Sequence, residues 1–228
     1  MPYKTGKYPS IYNENHIPVA SEPPIPDFPT PGFIYYFEGD TLDSSGNNKH
    51  LTADGVPDYS DPSTIGSPWT QNVYNLTVTT FPAINDLNIN SAGPWSWGLW
   101  FSNEAIQSAS YVTLIDANLS TLNLSFNRSF KTGKMAVRLN SSGIIGPVGG
   151  FNNKSIVHLV LTKDVGNNIK AYVNGSEDSN HAYAGNGIFS GISELNFGGF
   201  PVQELFLVGQ VLTAEQILYL STPHRYPL

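Results

Sequence analysis

Two kinds of residue could give this chain a chemistry: carboxylates in pairs, or aromatic faces with polar groups beside them. Acid–base hydrolysis by carboxyls takes two of them flanking the bond, one as acid and one as nucleophile or base. Here Glu194, Glu204 and Glu215 each stand alone, while Asp164 and Asp178 lie in polar, turn-like text. The five histidines (His16, His50, His158, His181, His224) sit in unrelated contexts, with neither zinc spacing nor a nucleophile beside them. No catalytic residue is expected, and the chain reads as a non-enzyme.

Binding is better provided for. A shallow sugar site needs an aromatic face for the pyranose and amide, carboxylate or backbone groups for its hydroxyls. Trp69 in "GSPWTQN", Trp100 and Tyr74 are the candidate ligand-binding aromatics. Trp100 also suits a core, because both faces of an inner strand can be covered. The stretch "ADGVPDYSDPS" brings Asp54, Asp58 and Asp61 together as hard oxygen donors, the set calcium would take. Loop aspartates serve equally as turn formers and caps. The expectation is therefore no obligatory cofactor, with calcium as the one candidate.

The elements that must position these residues are strands. "FIYYFEG" and "YVTLIDANL" are rich in aromatic and β-branched residues and bounded by turn formers. In "WSWGLWFSN", Trp95, Trp97, Leu99 and Phe101 alternate with Ser96, Gly98, Trp100 and Ser102. "NLSFNRSF", "KMAVRLNSS", "SIVHLVLTKD", "NIKAYVNG" and "ELNFGG" follow at short, regular spacing, as in a sandwich or jelly roll. One segment reads as helix: "LTAEQILYL", with Thr213 as N-cap and Gln216 completing a capping box.

Residues 1–32 differ from the rest. Eight of the 17 prolines lie there, including those of "SEPPIPDFPTPG". Proline fixes φ and removes a backbone donor, so this segment reads as an extended, semi-stiff arm. Tyr3, Tyr8, Ile11, Tyr12, Ile17, Val19, Ile25 and Phe28 make it more apolar than a solvating linker needs, which suits an arm that orders on a partner.

The remaining composition narrows the partners. Only 13% of residues are charged, with a net charge of -7. The 11 Lys and Arg are scattered, which argues against nucleic acid, whose affinity comes from clustered cations. There is no cysteine, hence neither a disulfide framework nor a thiolate metal site. No run approaches the roughly 18 apolar residues of a membrane helix, and the N-terminal text carries no apolar core of a secretory leader.

The polar "KDVGNN" between two apolar runs, with "NG" closing the second, reads as a meander of antiparallel strands. The wording from His158 to Gly175 resembles the laminin-G-like, concanavalin A-like jelly-roll domains, in "HLVLTKD" and "IKAYVNG". "YYFEGDTLDSSGNNKHLT" resembles that family's opening strand, turn and return strand. "WSWGLWF" resembles its tryptophan-bearing strand, with Trp100 at the tryptophan position. "QELFLVGQVLTAEQILYL" resembles its closing strand and helix. Val157 stands where the family has Trp, and Gln203 where an Asp precedes Glu204, so a metal role for that Asp has no counterpart. The acidic "E-x-D-x-x-E" strand of glycoside hydrolases with this fold is also missing.

The resemblance implies an all-β fold, a two-sheet antiparallel jelly-roll sandwich with one short C-terminal helix. The expected organisation is an arm over 1–32 and a concanavalin A-like domain over 33–228. The expected function is that of a virion structural protein of a bacteriophage, in capsid decoration, fibre or tail. It would be assembled in host cytoplasm, docked on other virion proteins through residues 1–32, present in several copies or as a homo-oligomer, and turned outward toward surface glycans. Neither nucleic acid nor membrane is an expected partner. The rival reading is a free carbohydrate-binding module or cell-surface adhesin, and after it a divergent glycoside hydrolase.

Overall fold

A computed structural model describes residues 24–37, 40–53, 58–60, 72–74, 77–80, 93–102, 111–117, 122–127, 135–139, 143–148, 156–178, 195–197, 202–222 and 226–227. Their strands are β1 (Pro31–Tyr35), β2 (Thr52–Ala53), β3 (Asp58–Ser60), β4 (Asn72–Tyr74), β5 (Thr77–Thr80), β6 (Trp95–Ser102), β7 (Tyr111–Ala117), β8 (Leu122–Asn127), β9 (Met135–Leu139), β10 (Gly143–Val148), β11 (Ile156–Lys163), β12 (Ile169–Val173), β13 (Ser176–Glu177), β14 (Leu195–Phe197) and β15 (Val202–Val208), followed by the helix α1 (Ala214–Ser221). The all-β class expected from the strand text is what the chain adopts.

These strands form two antiparallel sheets. One runs β13-β12-β11-β6-β15-β4-β3, with β1 also paired to β15; the other runs β10-β9-β8-β7-β14-β5-β2. The centre of the first sheet is β6, flanked by β11 and β15 in register, so that His158, Trp100 and Glu204 share one row and Leu161, Trp97 and Leu207 another. Side chains alternate across a strand, and directly paired residues share a face. One face thus carries Trp95, Trp97, Leu99 and Phe101 of β6 with Leu159, Leu161, Leu205 and Leu207, all essentially inaccessible. Phe33 and Tyr35 of β1 extend it, Phe33 meeting Trp97 edge-on at 6.2 Å.

The opposite face is covered by the end of the chain. Ile34, Val160, Tyr172, Phe206 and Val208 pack with Leu212, Ile217 and Leu220, and with Tyr226 beyond α1. Gly98 permits this packing: a Cβ there would sit 2.0 Å from the Phe206 ring, which lies across its paired neighbour. The helix begins as its sequence predicts. Thr213 accepts from the Gln216 backbone amide at 3.2 Å, and the Gln216 side chain accepts from the Thr213 amide at 2.7 Å.

The first strand starts earlier than the expected boundary at residue 33. Pro31 pairs with Val208, and a proline is tolerated there because it opens a strand that β15 flanks on one side only. Residues 24–30 then run over the C-terminal segment. Phe28 packs against Tyr219 and Tyr226 at centroid distances of 5.7 and 5.1 Å. The Tyr226 hydroxyl donates to the Pro29 carbonyl at 2.6 Å, and the Gln216 amide donates to the Asp27 carbonyl. The described part of the proline-rich segment is thus a clip on the domain; residues 1–23 lie outside the described residues.

Candidate functional site

The "DSSGN" turn organises the outer side of β1. Asp43 is 7% exposed, and its Oδ1 accepts from the Ile34 amide at 3.0 Å and the Ser45 amide at 2.9 Å. Its Oδ2 accepts from the Ser45 hydroxyl at 2.8 Å and the Lys49 amide at 3.0 Å. Asn47 donates to the carbonyls of Pro31 and Gly32, and the Ser44 amide donates to the Ile34 carbonyl. Gly46 and Asn48, with φ of 85° and 55°, supply the left-handed steps that close this loop. A carboxylate so fully engaged by four donors is a structural hub.

The hairpin turns foreseen in the sequence use related chemistry. Asp164 accepts from both the backbone and side-chain amides of Asn168, at 2.9 and 2.8 Å. The Asn168 side chain, first of several contacts, holds the Asp164 carboxyl below its usual range. Asn174 and Gly175 take φ of 48° and 83°, as an Asn-Gly hairpin turn requires. Asn174 also ties the hairpin to its neighbour. Its Oδ1 accepts from the His158 amide at 2.9 Å, and its own amide donates to the His158 carbonyl at 2.8 Å. Lys170 and Glu177, 2.9 Å apart, close the exposed end of this meander.

The most unusual polar grouping is the row His158, Trp100 and Glu204. His158 is fully buried and stacks on Trp100, with ring centroids 4.8 Å apart and a tilt of 31°. Neither imidazole nitrogen, nor the Trp100 indole N–H, meets a hydrogen-bond partner among the described residues. Burial pushes the imidazole down to about 3, so it stays neutral at ordinary pH. Gln203, which forms a bulge beside the row, is buried with its amide likewise unpartnered among the described residues. Glu204 is 1% exposed and lies near Tyr226, whose hydroxyl is held well above its ordinary value, first by burial and then by Glu204 and Tyr36.

The sequence candidates are dispersed across these surroundings. Trp100 is 6% exposed against His158, which leaves its ring no open face for a sugar. Tyr74 closes β4 and Asp58 opens β3, and the two are direct register partners at the edge of the first sheet. Trp69, Asp54 and Asp61 lie outside the described residues. Among the described residues no three His, Asp or Glu gather as a metal site. Sequence reasoning missed the roles of Asp43 and Asn174. Their turn signals were visible, but their partners in β1 and β11 were not.

No protein-family model matches the chain, and no curated protein sequence does either. Solved structures do match. The binding domain of botulinum neurotoxin DC in complex with SialylT superposes with a TM-score of 0.63 at 14% identity, over 86% of this chain and 52% of that one. The binding domain of Paraclostridial Mosquitocidal Protein 1 gives 0.62 at 13%, over 84% and 52%. That of botulinum neurotoxin serotype G gives 0.58 at 16%, over 84% and 50%. What the likeness shows is the fold. The chain spans about half the length of the solved structures it matches. A β architecture used by binding domains is thus common to chains that share little sequence.

Proposed function

We propose that this chain is a non-enzymatic recognition module with a concanavalin A-like arrangement of its two sheets. It would be displayed on a bacteriophage particle as a decoration, fibre or tail-associated protein. The observation that carries recognition is the backbone likeness, over most of the chain, to domains described as binding domains, one of them in complex with SialylT. Another matching structure is described through the interaction of botulinum neurotoxin type C with two ganglioside molecules. Surface glycans are accordingly the ligand class we assign. Trp69 and Tyr74 are the aromatic faces for it, and Asp54, Asp58 and Asp61 the calcium donors if a cation takes part. Trp100 leaves this set because its ring is buried.

The particle reading rests on the proline-rich segment. Its described part, residues 24–30, is fastened to α1 and Tyr226, so whatever residues 1–23 grip is joined to the domain at one defined place. Docking of an extended arm in a groove or sheet edge of another virion protein suits such a segment. Many copies would make weak glycan sites effective through avidity.

The test is a glycan array of the full chain, with calcium and again with chelator. Selective binding that Trp69→Ala and Tyr74→Ala abolish supports the assignment, and loss in chelator adds the metal. A blank array in both conditions removes glycan recognition. Deleting residues 1–23 tests the arm separately. The shortened chain should stay folded and lose attachment to its particle, and unchanged attachment would leave the arm without that role.

A further inference from the structure

Two routes join the buried His158 row to the clip that holds residues 24–30. On one side, Asn174 grips the His158 main chain through two hydrogen bonds. Gly175 beside it abuts the last turn of α1 so closely that a Cβ would lie 2.4 Å from the Ser221 hydroxyl and 3.0 Å from Leu218. On the other side, Glu204 shares the Trp100 row and neighbours Tyr226, which fastens Pro29 and Phe28. The helix in turn fastens Asp27 through Gln216 and Phe28 through Tyr219.

The chemistry of the row is one-sided. A neutral imidazole with both nitrogens unpartnered already carries a desolvation cost, and an imidazolium with no acceptor at either nitrogen carries a far larger one, which the stacked indole face offsets only in part. The titratable groups on this face do little to offset it. Glu204 is paired with Trp100, one strand further from His158, Tyr226 interacts with Glu204 and Tyr36, and Tyr172 occupies another row. Lys170 is engaged with Glu177 in solvent, and Glu215 of α1 is exposed. We propose that proton uptake by His158 opens the cover of this sheet face, releasing α1 and the clip at residues 24–30 together, so that mild acid frees the arm from the domain.

The sign follows from linkage. The opened state takes up the proton at the ordinary histidine value of 6.5, whereas the closed state resists it. Opening therefore increases as pH falls, by roughly twentyfold between pH 7 and pH 5. The experiment is amide exchange of the full chain, corrected for intrinsic rates, read at α1 and residues 27–30. The wild type should show that rise, with Ile217 and Phe28 gaining together, while His158→Gln and His158→Phe stay within about twofold. An equal rise in the variants overturns the proposal. If neither variant folds, proton titration of the wild-type imidazole decides: opening must track its protonation, and a histidine that titrates near 6.5 while α1 stays protected overturns it.

Discussion

The two faces of β6 are both buried, yet they are built differently. Trp95, Trp97, Leu99 and Phe101 form a surface of large buried side chains, interrupted at its end by Lys163 beside Trp95, whose ammonium donates to the Gly93 carbonyl at 2.8 Å. On the other face each position has its own arrangement. The Ser96 hydroxyl donates to the Gln210 carbonyl and accepts from the Leu212 amide, both at 2.8 Å. Gly98 lies under Phe206, and Trp100 is stacked on His158. The first face needs area, and the second needs register. Substitutions on the first should therefore act by size and be indifferent to pH, while those on the second should depend on one partner each.

The largest effect is expected from Trp97→Ala, at about 4 kcal/mol of unfolding free energy by denaturant titration, equal at pH 7 and pH 5. Gly98→Ala comes next, at about 3 kcal/mol, because the new methyl must displace the Phe206 ring. Phe206→Leu in the same chain should recover part of that loss, and additivity of the two changes would break the comparison. His158 supplies the pH dependence. Its folded value is pushed down, so its contribution is complete above 6.5 and is lost as pH falls from there toward 3. The loss amounts to about 2 kcal/mol at pH 5, and His158→Gln should flatten that part of the curve. Ser96→Ala should cost the least, about 1.5 kcal/mol, by leaving the Leu212 amide unsatisfied.

Local signals in the sequence foretold local structure. The alternation of β6, the Asn174-Gly175 turn and the Thr213 capping box all rest on residues within a few positions of each other, and all are present. The pairing of distant strands was not legible. Nothing in "QELFLVG" announces that β15 lies between β6 and both β1 and β4, since those partners are chosen by burial of whole faces. The start of β1 is illegible for the same reason: Pro31 breaks a helix or an inner strand, but an edge pairing with Val208 depends on a residue nearly 180 positions away. Among the site candidates, the type of Trp100 was informative and its environment was not. Its surroundings are supplied by paired residues far along the chain, His158 on one side and Glu204 on the other.

The engagement of Asp43, Ser44 and Asn47 with the outer side of β1 has a colloidal consequence. An uncovered strand margin is a template on which another molecule's strand can grow, and the hazard rises with local concentration. Here the Ile34 amide and carbonyl and the Pro31 and Gly32 carbonyls are already occupied within the chain. Molecules crowded side by side on a common support would find no ladder to extend at that margin. Asp43→Ala, by exposing it, should turn a dense array from a set of independent units into an aggregating one.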